Sequence, residues 1–196
     1  EDKSTYPLFG DVGTATYIEY DPNASPIDFN LQSDGSGYEA IIIPDGGTRS
    51  PWTEETDKVI EIEKGVKRNK RNLWLDGIEV FNFSLREAAP NIRELLEYNN
   101  TTTDDYDYFV FHQANKLMNE SIRKKLKLPA EKVPYSLQDY GNTSSGSIPL
   151  TMVTQLGGKI ENKSNIILSA FGVGLSWGAA AIKNANIKCL PLIEMD

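Results

Sequence analysis

The strongest constraint on the fold is the alternation of β-rich runs with helical patterns in the second half of the chain. The run at 106–111 is rich in aromatic residues, and a helical pattern at 115–126 follows it with only a short polar link. A second unit starts at the small-residue loop 141–147, has Pro149 in its first helical turn and ends at 157–158. Closing strands are predicted at 165–171 and 175–182. This alternation predicts a mixed α/β layered fold.

The first half of the chain is less regular. Strands are predicted at 13–20, 27–31 and 38–43, separated by Pro-rich and Gly-rich turns. A charged stretch at 48–72 is interpreted as a surface excursion. The segment 78–98 has helical spacing, with Pro90 expected to kink or restart the helix. The predicted core positions of that helix are Val80, Phe81, Leu85, Ala88, Ile92, Leu95 and Leu96.

Composition excludes several classes of protein. The chain has 196 residues, enough for one domain or a piece of a larger one. Its formal net charge of −8 disfavours a nucleic-acid partner. No apolar run approaches the roughly 20 residues of a membrane span. With a single cysteine and a single histidine, the chain offers no disulfide framework and no Cys/His zinc cluster, which favours a reducing, cytoplasmic location. The first residues lack an initiator Met and a signal-peptide pattern, so we expect the sequence to start within a longer protein.

Three motifs resemble a phosphate-binding loop, a serine nucleophile elbow and a cysteine nucleophile, but each lacks a feature that its chemistry requires. The spacing Gly141-x-x-x-x-Gly146 lacks the lysine of a phosphate-binding loop. The sequence at 174–178 matches Gly-x-Ser-x-Gly but lies in a predicted strand, whereas a nucleophile elbow requires a strand-to-helix turn. Cys189 lies in the tail without a histidine nearby in the sequence, and is interpreted as a small hydrophobe.

Three positions carry candidate hydrogen-bond donors. His112 directly follows a predicted strand, Asn142 lies in the small-residue loop, and Val173 lies between two glycines where its N–H can point into a site. Each has a plain structural alternative: a histidine bonded to backbone, an asparagine in a turn, and a tight turn. Taken together, the three donors suit an enolate or a tetrahedral oxyanion, so they favour carbonyl chemistry.

These residues lie in three segments that resemble a known family. The segments are 111–115 (FHQAN), 141–149 (GNTSSGSIP) and 170–179 (AFGVGLSWGA), and Asn142 follows His112 by 30 residues. The chain resembles β-ketoacyl-acyl-carrier-protein synthase III, also at 8–11, 33–37 and 77–81. The resemblance implies a thiolase-like layered αβαβα fold, of which this chain is mostly the C-terminal half, with a mixed five-stranded sheet flanked by helices. The implied divisions are the end of the N-terminal half at 1–26, the C-terminal half at 27–183, and a tail at 184–196.

The resemblance also implies a reaction and roles for residues. The family condenses an acyl-CoA starter with malonyl-carrier protein by decarboxylative Claisen condensation, using Cys, His and Asn, and no metal or other cofactor is expected. By this resemblance, His112 and Asn142 hold the malonyl thioester carbonyl. The Val173 N–H matches the oxyanion contact, and the implied substrate-binding residues are Asn115, Phe171 and Gly172.

The sequence departs from the family pattern at two positions. No cysteine precedes segment 8–11, where the family has its nucleophile, so the isolated chain is expected to be inactive in condensation. Leu117 occupies a position that is basic in many members, where it helps to dock the acidic carrier protein. Nearby cations could replace that charge, or could form an ordinary solvated helix face: they are Lys116, Arg123, Lys124 and Lys125.

The resemblance implies a homodimer for the full-length enzyme and leaves other functions open. One is a related reaction, such as the formation of hydroxymethylglutaryl-CoA, of polyketides, or of esters by acyl transfer. The other is a non-catalytic subunit or interaction module that pairs with a cysteine-bearing partner.

Overall fold

The computed structural model describes residue 3 and residues 5–194 of the chain. Strands and helices are numbered separately in chain order. The strands are β1 (Ile27–Ser33), β2 (Ile41–Ile42), β3 (Ile60–Glu63), β4 (Val66–Arg68), β5 (Trp74–Leu75), β6 (Tyr108–Phe111), β7 (Ser164–Gly172) and β8 (Ser176–Ala185). The helices are α1 (Gly77–Tyr98), α2 (Lys116–Lys125), α3 (Leu137–Tyr140) and α4 (Ser147–Leu156).

The main sheet is mixed and, among the described residues, has four strands in the order β1-β8-β7-β6. β6 and β7 are parallel, whereas β8 is antiparallel to both β7 and β1. The mixed α/β class is confirmed. The strand count of five is wrong, because the predicted third strand does not join this sheet. Residues 35–40 form a 3₁₀ helix there, and only the two residues of β2 pair, with β5, in a separate ladder.

Helices pack on both faces of the sheet. α1 and α2 pack on one face around a cluster that includes Phe83, Phe109 and Ile167, while α4 packs on the other face around Val110 and Ile166. α1 begins at the N-cap Asp76 and runs without interruption through Pro90, so the predicted restart is wrong. Tertiary packing of one apolar face outweighs the loss of a single backbone hydrogen bond at the proline.

The β-rich segment 13–20 does not form a strand. Its residues have no regular structure, and its large side chains, Tyr17, Ile18 and Tyr20, are exposed. β propensity reflects packing on a pleated surface, and a strand also needs a neighbour for its backbone groups. Among the described residues, no strand pairs with this segment, so the prediction is wrong for lack of a pairing partner.

Edge strand β1 presents its polar side chains to a helix and its apolar side chains outward. Asn30 and Asn91 of α1 exchange side-chain to backbone hydrogen bonds at 3.0 and 3.1 Å. On the opposite side, Ile27, Phe29 and Leu31 are 44%, 61% and 74% exposed. With Ala170, Gly178 and Ala180 of the neighbouring strands, they form what we call the open face. A groove of about 640 Å³ runs along it beside Ile148 of α4.

The remaining segments lie around this sheet. The charged stretch 48–72 contains a short hairpin of β3 and β4, and most of its side chains are exposed. Parts of the predicted N-terminal division 1–26 and of the predicted tail 184–196 lie outside the described residues: they are residues 1, 2, 4, 195 and 196. Within the described residues, no helix is both long enough and apolar enough to cross a lipid bilayer.

Candidate active site

His112 lies directly after β6 and is held by three neighbouring elements. Its backbone N–H donates to the Ser169 carbonyl of β7 at 2.8 Å. Its carbonyl accepts from the side chain of Asn119 in α2 at 3.1 Å. Its Nδ1 lies 2.8 Å from the Oγ of Ser147, the first residue of α4. The histidine is therefore fixed in place by the sheet and by one helix on each face.

The environment of His112 favours the neutral imidazole. Burial lowers its pKa from 6.5 to about 4, and hydrogen bonding to the Ser144 backbone opposes the shift without reversing it. The imidazole also lies at the N-terminal end of α4, where the helix dipole disfavours a cation. At neutral pH the side chain thus offers one N–H donor and no charge.

Asn142 is positioned by a segment distant in the sequence. Its N–H donates to the Leu8 carbonyl at 2.9 Å, and its own carbonyl accepts from the Gly10 N–H at 3.0 Å, so Phe9 and Asn142 form a parallel bridge. Gly10 packs tightly in this bridge, because a Cβ on it would clash with the Tyr140 carbonyl oxygen. The segment 8–10 therefore braces the asparagine loop.

The side-chain amide of Asn142 has a defined orientation. Its Oδ1 accepts from the Ser144 N–H at 2.9 Å, so Nδ2 is directed the other way. Nδ2 reaches the carbonyl of Ala114, two residues after His112, at a long 3.4 Å. The amide donor of the loop and the imidazole therefore lie at the same end of β6. A hydrogen bond this long is weak, so Nδ2 can exchange this acceptor for a better one at little cost while Oδ1 keeps its bond to Ser144.

Aromatic packing holds the other side of the imidazole. The Phe171 ring stands edge-on to it, with centroids 5.7 Å apart and planes at 85°, and packs in turn on Phe83. Gly172 is the last residue of β7. Val173 follows in the connection to β8 and is 68% exposed. Phe171 thus lies against the candidate histidine, while Val173 faces solvent beside it.

The predicted residues of α2 have distinct environments. Asn115 is the N-cap, and its Oδ1 accepts from the Met118 N–H at 2.8 Å. Arg123 forms a bidentate ion pair with Glu120, whose pKa falls to about 2 because of hydrogen bonds from Arg123 and Tyr135. By contrast, Lys116, Lys124 and the 66% exposed Leu117 are open to solvent.

Sequence reasoning missed Ser147, which contacts the histidine directly. Its Oγ also accepts from the Gln113 backbone N–H at 3.2 Å, and Gln113 is fully buried with its side chain bonded to the backbone of Phe111 and Ser136. The available signal was a small polar residue at the first position of a helix that follows a Gly-containing loop. Among the described residues, no three His, Cys, Asp or Glu side chains gather in a way that could hold a metal ion.

Comparison with known proteins identifies relatives in the synthase III family. Residues 96–184 match the family described as 3-oxoacyl-[acyl-carrier-protein (ACP)] synthase III C terminal. The chain is 34% identical over 183 residues to the beta-ketoacyl-[acyl-carrier-protein] synthase III of Campylobacter curvus, covering 93% of this chain and 52% of that protein.

Solved structures agree with this relationship. A 3-oxoacyl-(acyl-carrier protein) synthase from Burkholderia xenovorans has a TM-score of 0.75 at 36% identity, over 86% of this chain and 47% of that one. The priming β-ketosynthase of the R1128 polyketide pathway has a TM-score of 0.67 at 27% identity, over 94% of this chain and 52% of that one. The chain spans about half the length of the curated relatives it matches.

Proposed function

Because the chain carries the C-terminal domain of the 3-oxoacyl-[acyl-carrier-protein] synthase III family, we propose that it supplies the malonyl-activating side of a decarboxylative Claisen condensation. The observation that carries this proposal is the meeting of two neutral donors at the end of β6. The Asn142 amide reaches the backbone beside His112, and the imidazole is kept uncharged by burial.

Two neutral donors suit the decarboxylation step. As the bond between the malonyl carboxylate and its α-carbon breaks, CO₂ leaves and the electron pair moves onto the thioester carbonyl oxygen. His112 and Asn142 donate hydrogen bonds to that oxygen, which gains charge only as the enolate forms. A preorganised donor of this kind typically lowers the barrier by about 2.7 to 4 kcal/mol. The carbanion then attacks an acyl thioester, whose sulfur leaves as a thiolate.

Cys189 is not suited to carry the acyl group in this reaction. Its Sγ lies 3.8 Å from the Met152 carbonyl of α4, and burial, with a smaller effect from Glu161, raises the pKa of its thiol. A partly buried thiol with a raised pKa is a poor nucleophile. We therefore expect this chain alone to decarboxylate a malonyl thioester without condensing it. The acyl-cysteine would come from the part of the synthase fold that this chain does not match.

The open face favours a second candidate role, that of a subunit that pairs with the cysteine-bearing part. Three large apolar side chains of β1 are exposed on it, beside a groove about 640 Å³ in volume. An exposed apolar patch of this kind is typical of a protein interface. In this role the chain contributes binding surface, and His112 and Asn142 need not be active until the partner is bound.

The partners follow from the same proposal. The acidic carrier protein that delivers the malonyl group would be bound by the exposed cations Lys116 and Lys124, since Arg123 is already paired with Glu120. An acyl-CoA would prime the cysteine. We propose roles in binding substrate for Asn115, Phe171 and Gly172, and an oxyanion contact at the Val173 N–H. No cofactor is required, the complete enzyme is proposed to be a cytoplasmic homodimer, and the C-terminal half of its fold would be residues 27–183.

Decarboxylation of malonyl-CoA tests this function. Acetyl-CoA formation is measured by chromatography for the chain alone and after addition of a cysteine-bearing N-terminal half from a synthase III relative. We expect activity that is lost in His112→Ala and retained in Ser145→Ala, a control in an exposed part of the same loop. Acetyl-CoA formation that His112→Ala leaves unchanged would contradict the proposal. A chain that binds the added half yet stays inert would favour the subunit role.

A further inference from the structure

Ser147 occupies a buried position between two polar groups. It is 1% exposed, and its Oγ lies 2.8 Å from Nδ1 of His112 and 3.2 Å from the backbone nitrogen of Gln113. Its hydroxyl belongs to the first residue of α4, so the helix backbone holds it in place. Ser144 and Ser145 of the same loop are exposed and do not share this geometry.

The direction of the two hydrogen bonds follows from the atoms involved. A backbone N–H only donates, so the Ser147 Oγ is the acceptor from Gln113. The hydroxyl has one proton of its own, and a buried hydroxyl proton needs an acceptor. The remaining partner is Nδ1, which accepts only when it carries no proton. A neutral imidazole with an unprotonated Nδ1 carries its proton on Nε2.

We propose that Ser147 is a positioning residue that holds His112 in the Nε2–H tautomer, with its hydroxyl donating to Nδ1. Nε2–H is then the donor that the thioester oxygen meets, and this use of the tautomer rests on the proposed function. Phe171 packs edge-on against the same ring and limits its rotation. The hydroxyl and the phenyl ring together fix which nitrogen faces the site.

The other group that acts on the imidazole is the backbone of Ser144. Its hydrogen bonding raises the pKa of His112, although less than burial lowers it. Without the Ser147 hydroxyl, Nδ1 loses the hydrogen bond that favours its unprotonated form, so the Nδ1–H form becomes more populated. The Ser144 N–H donates to Asn142 Oδ1 at 2.9 Å, so it is already paired.

The single histidine of the chain makes the tautomer directly measurable. With ¹⁵N-labelled imidazole, long-range ¹H–¹⁵N spectra at pH 7 give one pair of ring nitrogens. We expect Nε2 to be protonated and Nδ1 unprotonated, and Ser147→Ala to shift the Nδ1 resonance. Ser145→Ala is the exposed control. Ser136→Ala is the buried control, because it removes a hydroxyl bonded to Thr151 at 2.7 Å that does not contact the imidazole.

The outcomes separate this proposal from the proposed function. A wild-type spectrum with the proton on Nδ1 overturns it, as does a Ser147→Ala spectrum with Nδ1 unmoved. The expected spectra with no decarboxylation of malonyl-CoA support the tautomer and refute the function. If both hold, Ser147→Ala lowers kcat for acetyl-CoA formation by roughly tenfold or more, with KM little changed, because the tautomer is altered and the binding surface is not.

Discussion

Acidification from pH 7 to pH 5 is expected to destabilise the protein mainly through His112. The folded chain has an imidazole pKa of about 4, whereas the unfolded chain titrates near 6.5. Between these values the unfolded state binds more protons than the folded state, so the free energy of unfolding rises with pH. The stability is complete above about pH 6.5 and is lost as the pH falls toward 4.

The magnitude follows from the size of the shift. One pKa unit corresponds to about 1.36 kcal/mol, so the full difference approaches about 3 kcal/mol below pH 4. Between pH 7 and pH 5, the expected loss is about 2 kcal/mol. The carboxyl of Glu120, with its pKa lowered to about 2, loses its contribution only below its ordinary value of 4.5. The window above pH 5 therefore reports mainly on the histidine.

Urea unfolding of wild type and His112→Gln at several pH values measures this effect. Glutamine keeps a polar amide of similar reach but does not titrate. Between pH 7 and pH 5 the variant should therefore lose about 2 kcal/mol less unfolding free energy than the wild type does. The resonance of the single histidine should also titrate near pH 4. Parallel stability curves, or a midpoint near 6.5, would refute the inference that burial keeps the imidazole neutral.

Three further outcomes follow from the structure. Leu31→Glu should change the unfolding free energy by less than about 0.5 kcal/mol, because the side chain is 74% exposed. It should also reduce self-association in sedimentation experiments, because it places a charge on the open face. An unchanged sedimentation profile would show that the open face does not mediate self-association. Asn142→Asp replaces a donor with a negative charge and should cut malonyl-CoA decarboxylation by roughly 100-fold or more, without unfolding the chain in a thermal melt; near-normal rates would exclude the amide from the reaction. Gly10→Ala places a methyl group against the Tyr140 carbonyl and should cost about 1 to 3 kcal/mol in denaturant unfolding while weakening decarboxylation; an unaffected protein would mean that the segment 8–10 does not brace the loop.

The sequence predicted most elements in which local pattern and tertiary packing agree. β1, β6, β7 and β8 and the helices α1, α2 and α4 were located to within a few residues. In all of these except β1, whose alternating apolar side chains are exposed, the apolar spacing matches the face that the element buries. The strand predicted at 13–20 is wrong because β propensity alone does not form a strand. A strand also needs a neighbouring strand to pair with, and the local sequence does not show whether one is present.

Of the candidate site, the sequence supplied the residue types and the structure supplied their relations. His112 and Asn142 were found from strand-end and loop positions, and the structure brings them to one end of β6. The neutral state of the imidazole depends on burial, which no motif reports. Ser147 was missed because a serine at the start of a helix is common, and its contact with a histidine 35 residues earlier is visible only in three dimensions.

The bridge between Phe9 and Asn142 also bears on the order in which the molecule assembles. The bridge closes a loop between residues 9 and 142 that contains most of the chain. Closing so long a loop costs more chain entropy than forming the hairpin of β7 and β8 or docking α2 on α1. Contacts of short separation are therefore expected to form first and the bridge late. A folding intermediate can then have a native sheet and helices while its asparagine loop is still unbraced, so spectroscopic recovery of secondary structure would precede recovery of the site.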